Sequence, residues 1–352
     1  MTNTAPDRAL IEAVQTNCHI ADATHAADMT LCIYLLQMRE FYRWEQGLPP
    51  LQPMAREAVG AWISAREALW DELEGQTFRA LPLDGGALDP FDVPAANAAL
   101  APLGLVYGAG YTAPGRASFF LGRLESAQSR EGVLLRVSGR EYARGLSSPP
   151  AALQERTIYL RREALQRWLW EKYEAWTLRR PEGAYKRALD AHGYAQDGEQ
   201  AVTRMVQQQA ETLVLHELGE AQAAELLGPD WPAMRQAFND RRTELFLRAV
   251  RDLLADSLVT LPALLQRQDA AGLHFWFANF EGLRAELAPR LERAYEAWNA
   301  GGGDAALHQA VQEGRQHWQA VCEQTLDLYR RHGAAAQPHV RTLLESATSR
   351  LA

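Results

Sequence analysis

Cysteine is scarce in this chain. Three occur among 352 residues, Cys18, Cys32 and Cys322, an odd number with no C-x-x-C spacing. A disulfide framework is therefore not expected, and a reducing, cytoplasmic setting is. Long apolar runs are missing too. None reaches the roughly 18 residues that a membrane span requires. The opening MTNTAPDRAL has no basic stretch leading into an apolar one, so a signal peptide is not expected. Positive charge is in deficit, with 36 Lys and Arg against 44 Asp and Glu and a net charge of -8. Broad electrostatic attachment to nucleic acid or anionic lipid needs the opposite balance. There is no G-x-S-x-G and no G-x-x-x-x-G-K-[ST]. Gly108-Ala-Gly110 with Gly115 lacks the spacing of a dinucleotide loop and reads as a turn. No segment repeats at a fixed period, which argues against a solenoid.

What is present is a globular composition, 47% hydrophobic and 23% charged, in a chain long enough to bury a sizeable core without cross-links. Helical periodicity dominates. Asp7 to about Gln15 reads as a short helix. From Asp28 onward Leu31, Tyr34, Leu35, Met38, Phe41 and Tyr42 recur at helical spacing until Gly47-Leu-Pro-Pro stops them, and Pro53 to Glu74 repeats the pattern. The runs at 105–111, 117–124 and 132–138 differ. They are short, rich in Val, Tyr, Phe and Leu, and parted by turn residues, as in a three-stranded antiparallel meander. Beyond residue 153 the pattern is helical to the end, including Thr157 to Arg179 and a long stretch from Glu199 to Leu227. The fold class expected is mostly α with α+β character: a multi-helix bundle with the meander inserted near residues 103–140. The division expected is an N-terminal helical segment with the meander, 1–150, and a C-terminal helical domain, 151–352.

Residues with metal-binding chemistry collect in two places. In LVLHELGEA, residues 213–221, His216 and Glu220 stand one helical turn apart on one face, with Glu217 beside them. The string resembles the His-Glu-x-x-His motif of zinc peptidases, with Glu220 in place of the second His. One imidazole with carboxylates also suits iron or manganese. The second place holds His19, Asp22, His25 and Asp28. Asp22-Ala-Thr-His25 has the acid-x-x-His spacing of carboxylate-bridged metal bundles. If one helix runs through this segment, Asp22, His25, Cys32 and Glu40 share a face. Asp252 and Asp256, one turn apart, are reserve ligands on what otherwise reads as a solvated acidic face. Glu141 and Arg144 read as a pair on a short helical turn. Arg156, Arg161, Arg162 and Arg167, among Glu155, Glu163 and Glu171, read as a solvated helix face.

These clusters together predict a metal site built from His19, Asp22, His25, Glu40, His216 and Glu220, between the N-terminal segment and the Glu199–Leu227 helix. Its metal would be iron or manganese, alone or together, in an oxidoreductase or oxygenase. One alternative is a zinc hydrolase, with Glu217 as catalytic general base to a metal-bound water. Another is a non-enzymatic helical scaffold or partner-binding protein in which the clusters are hydrogen-bond networks. The partner expected is a small-molecule substrate, with a homodimer as the assembly to consider, and neither nucleic acid nor membrane. The segments CHIADATHAADMTLCIYLLQMREFYRWE, LVLHELGE and RAVRDLLADSLVTLP resemble an uncharacterised bacterial protein family of unknown function. That resemblance implies no catalytic residue. The paired Glu and Glu-x-x-His sets of ferritin-like proteins are not seen; one acid-x-x-His pair occurs, at Asp22 and His25.

Overall fold

A computed structural model describes residues 6–83, 86–113 and 116–352. The chain divides between Ala175 and Trp176 into two compact units. The first opens with α1 (Arg8–His25), whose N-terminus is capped by the Asp7 carboxylate accepting from the Ala9 amide at 3.1 Å. Leu10, Val14, Cys18 and Ala21 fall on one face at helical spacing and bury themselves against Leu105, Tyr107, Phe119 and Leu121 of a sheet. Each such aliphatic or aromatic side chain contributes about 1.5–3 kcal/mol. Burial raises the Cys18 thiol pKa well above its usual value, and the thiol donates to the Phe119 carbonyl at 3.3 Å, so it packs as an inert apolar group.

A single 3-10 turn, Ala26–Asp28, separates α1 from α2 (Leu31–Glu45). Thr30 enters α2 from an extended backbone, φ -67° and ψ 149°. No one helix therefore spans the segment, and the expected shared face of Asp22, His25, Cys32 and Glu40 is divided between two helices. With α3 (Arg56–Leu73), α2 encloses a second apolar cluster around Met38, Phe41, Trp70 and Leu146.

The connector at 79–96 folds into a hairpin of β1 (Leu81–Leu83) and β2 (Gly86–Leu88), followed by α4 (Val93–Leu100). Five strands then follow: β3 (Leu105–Ala113), β4 (Arg116–Arg130), β5 (Val133–Arg144), β6 (Ala151–Gln154) and β7 (Thr157–Arg161). They form one sheet in the order β3-β4-β5-β7-β6, antiparallel except for the β5–β7 pair. The expected three-stranded meander is thus corrected to a five-stranded, curled sheet, of which the meander runs are lengthened members. The helix expected from Thr157 is corrected as well, because Thr157–Arg161 is a strand and α5 (Arg162–Thr177) starts after it. Leu134 pairs with Thr157 and Ser138 with Arg161, a partnership across some twenty residues that local periodicity does not register. The curl brings the outer strands together: a Cβ on Gly110 of β3 would meet the Gln154 side-chain nitrogen of β6 at 2.9 Å. At the outer side of β3 the Asn97 amide of α4 donates to the Tyr107 carbonyl at 2.8 Å and accepts from the Tyr107 amide at 3.0 Å.

Of the Arg and Glu residues read as a solvated face, Glu155, Arg156 and Arg162 are exposed, whereas Arg161 and Arg167 turn inward. Glu141, on β5 and not on a helical turn, is fully enclosed. It accepts from Arg161 Nε at 2.6 Å and from Arg167 Nη2 at 2.7 Å. Burial alone would raise its pKa, but Arg161, Arg167 and Arg144 outweigh it and hold the carboxyl at about 2.

The second unit is helical: α6 (Ala184–Ala191), α7 (Gly198–Leu227), α8 (Asp230–Ala237), α9 (Arg241–Ala255), a π-turn at Asp256–Thr260, α10 (Leu261–Gln266), α11 (Ala270–Ala278), α12 (Leu283–Leu287), α13 (Pro289–Ala297), α14 (Ala305–His332) and α15 (Gln337–Glu345). Asp197 caps α7 by accepting from the Glu199 and Gln200 amides at 2.9 and 3.0 Å, and Gly228, at φ 68°, ends it. Phe246, Leu247, Val250, Leu253 and Leu254 give α9 a broad buried stripe, which packs on α7 and α14. Among the described residues no helix is long and apolar enough to cross a membrane.

Candidate metal centre

Two helices of the second unit build the site, each by i, i+4 spacing. His216 and Glu220 project from α7, and Asp252 and Asp256 from the end of α9 into the π-turn. Their meeting depends on Gly219. A Cβ there would stand 2.8 Å from the Ala255 carbonyl carbon and closer still to its oxygen, so only a glycine lets α7 approach α9 this closely. The π-turn begins at Asp256 itself, a deviation that recurs at functional sites.

The Asp256 carboxylate is fully buried. One oxygen lies 2.8 Å from His216 Nδ1 and the other accepts from Arg284 Nη1 at 3.3 Å. An imidazole that donates from Nδ1 to a carboxylate directs Nε2 outward as the ligating nitrogen. His216 Nε2 lies 3.6 Å from Glu220 Oε1. Ligand atoms of His216, Glu220 and Asp252 all fall within 4.8 Å of one another, and these three are the group that could hold a metal ion among the described residues. Two ligands of one ion at about 2.1 Å each lie at most about 4.2 Å apart, so the set would have to draw slightly closer around a cation. One nitrogen and two carboxylates leave coordination positions free.

The same carboxylates already have a counter-charge. Arg251 Nη2 reaches Glu220 Oε1 at 2.5 Å and Asp252 Oδ1 at 3.3 Å. Burial disfavours charge on His216, yet Asp256 and Glu220 raise its pKa well above the usual imidazole value. Burial pushes Glu220 upward too, but His216 and Arg251 hold it at about 2, whereas burial and the Glu220 charge raise Asp252. A metal ion would have to displace the His216 proton and turn Arg251 aside.

Of the six expected ligands, His216 and Glu220 join this group; the other four lie in the first unit, each with partners there. His19 Nε2 faces Arg66 Nη1 at 2.6 Å, and since a guanidinium only donates, that nitrogen accepts. Burial and the Arg66 charge lower the His19 pKa to about 3. His25 Nδ1 is 3.5 Å from Asp28, which also binds Arg116 at 2.8 Å. Glu40 is buried against Arg39 at 3.1 Å and Arg43 at 3.2 Å. Glu217 is buried on α7 next to His216 but is outside the three-ligand group. Asp252 and Asp256 had only their one-turn spacing to mark them. Arg251 and Arg284, which balance the site, carried no signal of their own in the sequence.

Asp22 accepts from the Leu146 amide at 2.8 Å. Burial raises its pKa to about 7, against the pull of that hydrogen bond and of Arg144. A carboxyl raised on folding contributes full stability below its unfolded pKa of about 3.9, and loses it as pH climbs through the folded value. The urea midpoint of the first unit should therefore fall between pH 4 and pH 7, and Asp22→Asn should flatten that slope. An unchanged slope in the variant would assign the effect elsewhere.

Comparison with curated proteins gives no match, and comparison with solved structures gives none. Two family models match, both described as a family of unknown function: the DUF6866 N-terminal domain over residues 9–161 and the DUF6866 C-terminal domain over residues 166–347. With its helical second half carrying the His216 cluster and its sheet-containing first half each matched by its own model, the chain belongs to the DUF6866 family.

Proposed function

We propose that the second unit carries a metal centre, with His216, Glu220 and Asp252 as ligands and Asp256 orienting His216, and that the protein is an iron- or manganese-dependent oxidoreductase. The observation that carries this reading is the convergence of the three ligands with a buried carboxylate behind the imidazole. A nitrogen–carboxylate set of this kind suits iron and manganese better than the thiolate- or imidazole-rich shells that favour zinc. Bound there, such a metal would supply redox chemistry at its open positions. Asp256 would fix the imidazole tautomer; against its burial, His216 and then Arg284 hold its carboxyl below the usual range.

A second reading has its own support. Arg251 already neutralises Glu220 and Asp252, so the cluster could be a closed ion network in a helical scaffold. Metal analysis of protein purified without chelator separates the two. The metal reading expects near-stoichiometric iron or manganese, absent from His216→Ala and held about 10–100-fold more weakly by Asp256→Asn. Arg251→Met should then tighten metal binding, because a competing cation is removed. No metal, no thermal shift on adding Fe²⁺, Mn²⁺ or Zn²⁺, and a destabilised Arg251→Met would overturn the metal centre and leave the network. Zinc alone would move the assignment to the hydrolase reading.

A further inference from the structure

The curled sheet of the first unit and α4 line an open cleft of about 640 Å³, a size that suits a small organic molecule. Its floor comes from β5 and β7, where Arg136 stands directly opposite Tyr159. Its sides come from the two outer strands, with Gly110 and Tyr111 of β3 facing Gln154 of β6. Gly110 and Gln154 approach closely here, with a Cβ on Gly110 standing 2.9 Å from the Gln154 side-chain nitrogen.

Two polar atoms here are left over. Arg136 Nη1 is buried and has no hydrogen-bond partner among the described residues, and neither has the buried Gln154 Oε1. A buried donor on a cation and a buried acceptor are each costly without partners, and such orphans need an explanation. One wall is aromatic. Phe91 and Tyr111 stack at 5.1 Å between ring centroids with 7° between planes, while Tyr111 is 62% exposed and so has a face free for another ring. The lining holds two charged groups, Arg136 and the exposed Glu155; the unpartnered Arg136 Nη1 calls for an anion, the Gln154 oxygen calls for an N–H or O–H, and the open Tyr111 ring calls for a flat body.

We propose that this cleft binds a planar aromatic organic anion bearing a hydrogen-bond donor beside its anionic group, with Arg136 holding the anion, Gln154 accepting from the donor and Tyr111 stacking on the ring. Nucleic acid, which would need a basic groove, does not fit a chain of net charge -8.

Anthranilate is the direct probe for the full-length protein, because it is fluorescent and sets a carboxylate next to an amine on one ring. Benzoate lacks the donor and aniline lacks the anion. Anthranilate should bind most tightly and aniline least. Arg136→Gln should weaken anthranilate at least about tenfold, the loss expected for one charge-assisted hydrogen bond. Gln154→Leu should reduce anthranilate to the level of benzoate and leave benzoate unchanged. Arg136→Leu in the ligand-free protein gives a readout independent of the probe. Losing an unpartnered buried donor should raise Tm by about 2–4 °C, whereas losing a structural arginine would lower it. A lower Tm, no saturable anthranilate binding, or equal affinity in Arg136→Gln would each overturn the assignment.

Discussion

Glu141→Gln should destabilise the first unit by about 3–5 kcal/mol, the usual consequence of removing one partner from a buried ion pair. The carboxylate is completely enclosed and takes hydrogen bonds from Arg161 at 2.6 Å and Arg167 at 2.7 Å. Arg161 is itself buried, with its guanidinium 4.3 Å from the centre of the Phe120 ring. Arg144 is buried nearby, and its pKa is lowered to about 9 by burial and by the charge of Arg167. With Glu141 neutralised, three guanidinium groups would share one dry region without their central anion. Urea unfolding measures the loss. The double variant Glu141→Leu/Arg161→Met should recover much of it, because it removes charge of both signs together. A single-variant loss under about 1 kcal/mol would mean that water reaches the cluster and screens it.

Gly219→Ala comes next in size, and its sign is the informative part. In an ordinary helix interior the exchange stabilises by up to about 1 kcal/mol. Gly60 on α3 is such a position, exposed and with nothing within 4 Å of a would-be Cβ, so Gly60→Ala should show the gain. At Gly219 the added methyl would press on the Ala255 backbone, which cannot rotate away as a side chain would. A destabilisation of about 1–3 kcal/mol is expected. It should coincide with a lengthened His216–Asp256 hydrogen bond and, if the metal centre forms, with loss of metal comparable to that of His216→Ala. Stabilisation at both glycines would show that α7 and α9 are not held this close.

The pairs His216/Glu220 and Asp252/Asp256 were legible because four residues of helical spacing fix a shared face. That the two pairs meet was not legible. It depends on a glycine three residues after His216 matching a carbonyl on another helix, and no local pattern encodes that match. The partners of the N-terminal set were not legible for a related reason. Asp22 and His25 have ligand spacing, but Leu146 and Asp28, far and near in sequence, take them up instead. The stretch after residue 153 shows the limit of periodicity. Thr157 to Leu160 is rich in β-branched and aromatic residues, yet it precedes a strongly helical run, and pairing with β5 and β6 makes it a strand. Arg161 and Arg167 looked solvated because alternating Arg and Glu usually are. Their inward turn follows from Glu141 on a strand twenty residues before Arg161 and twenty-six before Arg167.

The side-chain amide of Asn97 reproduces, on the outer side of β3, the donor–acceptor pair that another strand would offer Tyr107. A sheet edge left unpaired is a template for a second chain. Asn97 thus acts as a one-residue stopper against intermolecular strand addition. Without it, concentrated protein or a refolding intermediate would have a backbone edge open to aggregation at the point where Leu105, Tyr107 and Ala109 line the core.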